Sequence, residues 1–313
     1  MAAFEEQPPT VAAAMSAERR GQGTVVRVLG AAIRTRRGQV GAALALVILL
    51  IAFAGPFLPD MSATAFAARP FSTSGHGGVL GTDVLGRDVL ARVLGGGWLI
   101  MLLAIAATAL AVIAGAFIGV TAAYRRGLVE AFSMRGVDVA LAMPQLVFVL
   151  LMLSVIGPKL WLLVLSVGLV QAPQTARVLY AAAQGVCERD YVKAVAVWGM
   201  PPRTVLRRHV MPSLITPLMV EAGLRLSYSI ILISGLSFLG LGTRPPDPDW
   251  GVMVNENRLG LATNYWGVIA PAILLALLAI GTNTFADAIA RANLGENRSE
   301  QAVVASALGG GEA

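Results

Sequence analysis

From Trp98 to Tyr124 the chain runs 27 residues without a single Asp, Glu, Lys or Arg. As a helix, such a stretch measures about 40 Å at about 1.5 Å per residue. That is enough to cross the ~30 Å apolar core of a bilayer. Hydrocarbon supplies no hydrogen-bond partner, so the backbone of a single crossing segment must satisfy itself, and only a helix does that. Trp98 and Tyr124 stand at the two ends, where amphipathic rings anchor at the membrane surface.

Five further apolar runs repeat the pattern: Val40–Leu58, Val137–Ile156, Trp161 to about Ala183, Ser213 to about Leu241, and Trp266 to about Ile289. Pro56 and Pro59 close the first run, and Gly157-Pro158-Lys159 makes a tight turn between the third and fourth. Pro173 predicts a kink in the fourth span that neighbouring helices must satisfy. The chain is 56% hydrophobic and 13% charged, with a mean hydropathy of +0.72. A soluble domain is nearer about a quarter charged. The fold class is therefore an all-α polytopic membrane protein with six transmembrane helices.

The basic residues give the orientation. Seventeen lie on one side of these spans, among them Arg34, Arg36, Arg37, Arg125, Arg126, Arg135, Arg177 and Arg189; six lie on the other, and Arg225 falls inside a span. By the positive-inside rule the richer side is cytoplasmic, which puts both termini there. Residues 1–24 read as a disordered tail, 25–39 as a helix lying on the inner leaflet, 40–293 as the membrane domain, and 294–313 as a second disordered tail. The net charge of +6 follows from this topology, and no nucleic-acid motif accompanies it.

Between the fourth and fifth spans, Glu188–Val220 carries seven charged side chains and His209. Asp190 can cap a short helix. Tyr191, Ala194, Val195 and Trp198 recur at i, i+3, i+4 and i+7, making one apolar face. Gly199 suits a left-handed C-cap, and Pro201-Pro202 ends the helix. Beyond it, Arg203 and Arg207 share a face, with Arg208 beside them. Spacing alone leaves two readings open: a helix that a partner covers, or a helix lying on lipid headgroups.

Several chemistries are excluded. The single cysteine, Cys187, permits no internal disulfide. His76 and His209 lie far apart, which argues against a metal site. Of the two lysines, Lys159 precedes Leu160 and Lys193 precedes Ala194, so the lysine-Ser/Thr pair of a nucleotide-binding P-loop is missing. No Ser/His/Asp arrangement or carboxylate pair shares one membrane depth, so an enzyme is not expected. An ion-coupled secondary transporter would want several intramembrane carboxylates, and the chain offers chiefly Glu221. That residue and Arg225 are four apart, so they share a face and can pair. The pair is either part of a translocation pathway or a structural link between spans.

Tyr191, Val192, Ala194, Gly199 and Pro212 resemble the cytoplasmic coupling loop of ABC-importer permeases, here residues 186–212. Lys193 stands where an acidic residue is usual in that family, and Val195 where alanine is usual. Gly81–Leu94 and Ser237–Gly251 resemble segments of the dipeptide and oligopeptide branch, in its second (C-type) permease. Ile233 departs in a region where many members are acidic, while Asn283 and Asp287 match. The likeness covers about residues 80–293. It implies a type I importer permease fold in the cell membrane and a homologous permease as heterodimer partner. It also implies two ATPase subunits, which bind ATP and Mg in place of any cofactor in this chain, and an extracytoplasmic substrate-binding protein. Peptides are the implied substrate; nickel chelates and glutathione are handled by similar permeases. Asp190, Tyr191, Ala194, Val195, Trp198, Gly199, Arg203 and Arg207 become the ATPase-coupling residues.

Within Gly81–Leu94 the residues themselves predict a helix opened by a Thr/Asp cap, with Asp88 paired to Arg92 at i+4 and Val89, Leu90 and Val93 toward an apolar surface.

Overall fold

The computed structural model describes residues 30–54, 63–243 and 246–309, with side chains to residue 292. The expected tail over 1–24 lies outside these residues. The expected surface helix over 25–39 falls partly outside them; its described part is helical over 30–34 and continues into the first span. Among the described residues there are only helices and two isolated β-bridges, Phe66 with Arg87 and Thr82 with Asp88.

The helices are α1 Arg36–Ala54, α2 Val89–Gly95, α3 Trp98–Arg125, α4 Gly127–Ala142, α5 Gln145–Ile156 and α6 Leu160–Cys187. They continue as α7 Asp190–Val197, α8 Pro202–Val205, α9 Met211–Phe238, α10 Trp250–Asn257 and α11 Trp266–Gly309. A π turn, Leu206–Val210, joins α8 to α9. α11 continues through the segment that the sequence reads as a tail beyond 293. Five helical stretches are long and apolar enough to cross a membrane, and α4 with α5 supplies a sixth crossing if counted as one.

That third crossing is not the single helix expected over 137–156. α4 and α5 meet at 84°. The cause is local: Pro144 disfavours a helical Met143, which is extended at ψ 132.

α3 and α6 form the most extensive helix pair. Gly115 and Gly119, one turn apart on α3, let the backbones approach. A Cβ at Gly115 would sit 2.6 Å from the Thr175 Cβ, and one at Gly119 only 2.3 Å from the Ala176 carbonyl oxygen. Small residues at such contacts replace the hydrophobic drive that lipid cannot provide. α1 packs on α11 in the same way through Gly41 and Gly281.

The far end of the bundle from the α6–α9 loop, called the cap end below, is closed by α2, α10 and the chain before α2. Trp250 is fully buried, donates its indole N–H to the Val93 carbonyl at 2.6 Å, and lies across Gly97. Asp249 caps α10 by accepting from the Gly251 and Val252 amides. Burial pushes its carboxyl above the usual carboxylate range, against the opposing pull of those amides and the Ser237 hydroxyl.

The expected Asp88–Arg92 pair does not form. Asp88, not Thr82 or Asp83, is the N-cap here, with its carboxylate taken by the Leu90 amide. Arg92 is fully buried and bridges Asp83 at 2.5 Å and Glu256 at 2.8 Å. Arg87 contacts the same two carboxylates at 2.6 and 3.1 Å. A buried guanidinium needs compensation on several donors, and two converging carboxylates supply more than one exposed neighbour could.

Gly119→Leu should force α3 and α6 apart. The expected outcome is a loss of about 1–3 kcal/mol, seen as a lower melting temperature in detergent, with Ile113→Leu on the exposed face of α3 unchanged.

Candidate functional site

Two places combine chemistry with position: the α6–α9 loop and the polar centre where α6 meets α9.

The loop is held from beneath. Val192, Val205 and Val210 are buried against Val120 and Ala123 of α3, Ala183 and Val186 of α6, and Leu214 of α9. Val195 and Leu206 pack at the edge of the same cluster. Val192 is thus the root of α7, and the apolar face drawn through Tyr191, Ala194, Val195 and Trp198 misses it. Apart from the half-buried Val195 that face is open: Trp198 is 77% and Tyr191 43% exposed, and Ala194 is exposed too. Tyr191 has only its hydroxyl near Ser213, at 3.4 Å.

Asp190 is not the cap that the sequence suggests. Arg189 takes the N-cap position in extended backbone, so Asp190 is the first helical residue and makes no capping bond. Its charge remains in the first turn, where the helix dipole favours an acid. Gly199 has φ +76 and donates its amide to the Ala196 carbonyl at 3.1 Å. Only a residue without a Cβ takes that conformation freely.

Pro201 then directs the chain into α8. In the π turn the Met211 amide reaches back five residues to Leu206, just before Pro212, which has no N–H to give. Arg203, Arg207 and Arg208 are exposed on this segment. At the base of the loop, Arg126 meets Glu188 at 3.2 Å.

The polar centre is buried. Arg225 Nε lies 3.0 Å from Glu221 Oε1, and both side chains are under a tenth exposed. α6 completes the arrangement: Thr175 donates to Glu221 at 3.2 Å, and Gln174 accepts from Arg225. The Arg225 guanidinium also lies 5.0 Å from the centre of the Tyr228 ring, within cation–π range. A turn deeper, Gln171 and Thr108 both donate to Ser229, at 2.9 and 3.0 Å. Gln171, Gln174 and Thr175 escape a reading that seeks charges. Their signal is polar residues spaced three and four apart on an otherwise apolar helix. Asp138 pairs with Arg177 at 3.2 Å, away from the Glu221 centre. Among the described residues no group of three His, Cys, Asp or Glu could hold a metal.

The described residues thus form a helical membrane domain with an aromatic-tipped loop at one end and a compensated ion pair in its core. Residues 111–294 match the family described as "Binding-protein-dependent transport system inner membrane component", and the chain belongs to that family. It is 30% identical over 270 residues to a Brucella suis biovar 1 protein named as a permease of a peptide transport system, covering 86% of this chain and 91% of that protein. It is 32% identical over 211 residues to the di/tripeptide transport system permease protein DppC of Pseudomonas aeruginosa, covering 67% and 70%. The protein is thus a multi-pass component of the inner membrane.

Glu221→Gln leaves Arg225 without its counter-charge. Breaking one partner of a buried pair costs about 3–5 kcal/mol; Gln174 and Tyr228 reduce this toward the lower figure. The expected result is that Glu221→Gln loses more folded protein on size-exclusion chromatography than Glu221→Gln combined with Arg225→Gln. Normal assembly of both single variants would mean that the pair is solvated.

Proposed function

We propose that this chain is the transmembrane subunit of an ATP-driven importer of di- or oligopeptides, and that Asp190–Gly199 couples it to separate ATPase subunits. The observation that carries this reading is the α7 loop. It is rooted in the same cluster as α3, α6 and α9, yet leaves Tyr191 and Trp198 uncovered. A push on such a helix reaches three spans at once. Gly199 has nothing within 4 Å of where a Cβ would lie, so that face is open to close approach by a partner.

In this reading the loop end faces the cytoplasm, as the excess of arginine on that side favours. The ATPase subunits bind ATP and Mg, and this chain contributes no catalytic residue. A homologous permease completes the membrane unit, and an extracytoplasmic binding protein delivers substrate. Arg203 and Arg207 are exposed on the same loop and suit an acidic rim on the ATPase. The names borne by the relatives support a peptide substrate over nickel chelates or glutathione.

Trp198→Ala should remove an aromatic anchor of the kind worth about 2 kcal/mol, weakening ATPase association roughly thirtyfold. Gly199→Val should act similarly through backbone strain. Co-purification of subunits measures both. Full recovery with wild-type stimulation of ATP hydrolysis would favour a helix resting on headgroups. For substrate, deleting the gene should confer resistance to a toxic dipeptide or tripeptide analogue in a growth assay; unchanged sensitivity with lost nickel or glutathione uptake would reassign the cargo.

A further inference from the structure

α6 carries a polar stripe that reaches from the middle of the membrane to the loop: Gln171, Gln174, Arg177, Tyr180, Gln184 and Glu188. The steps are three or four residues, so the stripe winds slowly around the helix, from the side facing α9 to the side facing α4. Each member has a partner. Gln171 meets Ser229, Gln174 meets Arg225, and Arg177 meets Asp138. Tyr180 donates to Glu130 and accepts from Gln184 at 2.8 Å, while Glu188 meets Arg126.

Deep in the bundle these groups are buried, but further along they are not. Arg177 and Asp138 are 62% and 52% exposed. Counted from Lys159, Arg177 lies about 27 Å along the helix, toward the inner edge of a ~30 Å apolar core. Arg177 alone could reach headgroups by its long stem. Asp138 has one methylene and cannot. Half-open charges on a membrane helix are better matched to a bundle interior or to water than to lipid. By contrast, Leu46 and Leu50 on α1, Ile113 and Phe117 on α3, and Val155 on α5 expose apolar side chains. Between α4 and α6, beside the pair, lies a cavity of about 560 Å³ lined by Glu130, Met134, Asp138, Arg177, Tyr180 and Ala181 among others, of the size that takes a small ligand.

We propose that the exposed, α4-facing part of this stripe, Arg177 and Tyr180 with Asp138 and the cavity beside them, is part of this chain's wall of the translocation route, and that the Asp138–Arg177 pair meets the two ends of a passing peptide, Arg177 taking the carboxylate and Asp138 the ammonium. The inference rests on the permease reading and adds the residues that line the route. A zwitterion suits this pair because both charges stay compensated when the mutual contact is exchanged for contacts to the peptide. Arg177 spends one nitrogen, Nη1, on Asp138, and a guanidinium has five donors in a fork that matches a carboxylate. Gln174 lies one turn earlier on the same helix and holds Arg225. Toward the middle of the membrane, therefore, the stripe passes from an exposed ion pair to a sealed one.

The test uses the whole complex, permease pair, ATPases and loaded binding protein, in proteoliposomes. Met134→Cys and Ala181→Cys, each in a Cys187→Ser background, are treated with a small charged thiol reagent, alongside Ile113→Cys and Phe117→Cys. The cavity positions should react and the α3 positions should not. Transport of a free dipeptide with ATP should slow the reaction at 181, an effect that a purely structural ion pair would not produce. Arg177→Gln and Asp138→Asn should each slow dipeptide import about tenfold, as loss of one charge-assisted contact does. Arg177→Lys, which keeps the charge but loses the fork, should fall between wild type and Arg177→Gln, and the ATPases should co-purify in every variant. Equal reactivity at 181 and 113, no substrate protection, or normal import by Arg177→Gln overturns the proposal while leaving a peptide-importing wild type intact. A wild-type complex that imports no peptide overturns the permease reading together with it.

Discussion

Everything in this chain answers to one constraint: inside a bilayer a polar group left without a partner has no water to fall back on. The backbone meets it by remaining helical, and the side chains meet it by convergence. Glu221 is reached by Arg225 and Thr175, and Arg225 by Gln174 and the Tyr228 ring. At the cap end, in the loops beyond the spans, burial makes the same demand, and Arg87 and Arg92 share Asp83 and Glu256. Such clusters contribute less to net stability than their short distances suggest, because desolvation offsets much of the attraction. What they fix is which helix faces which. A slip of α6 along α9 would cost Glu221 its Thr175 donor and Arg225 its Gln174 acceptor, which favours the observed register.

That register passes to the loop through apolar packing. Val192, Val205 and Val210 sit in a cluster made by α3, α6 and α9, whose mutual positions are set by the Gly115–Gly119 contact and by the polar centre. The loop is therefore an extension of the bundle, and its exposed Tyr191 and Trp198 are presented by a rigid base. Force applied there is carried into the spans by packed side chains.

Much of the fold was legible in the sequence because the bilayer writes long, unambiguous signals. The uncharged run at Trp98–Tyr124 corresponds to α3 within a residue. Gly199 and the two prolines after it ended α7 where expected. Part of what was not legible depended on contacts far apart in the chain. Arg92 looked paired to Asp88 by helical spacing, yet Glu256 lies 164 residues away and no local rule reveals it. The 84° bend at Pro144 was missed because the run over 137–156 is long and apolar enough to read as one helix, although the proline that breaks it is local. Of the candidate site, the charged members and the Tyr191-Val192 motif stood out, whereas the burial of Val192 and the roles of Gln171, Gln174 and Thr175 did not. Buried valines and neutral amides acquire meaning only from their neighbours.

The central claim is that the α7 face is covered by a protein partner that drives the spans. A photo-crosslinking amino acid at position 198, introduced in cells that express the whole transporter, tests it most directly. The account predicts an adduct with an ATPase subunit, enriched when ATP hydrolysis is arrested. Adducts confined to phospholipid, with none to an ATPase subunit in any nucleotide state, would contradict it.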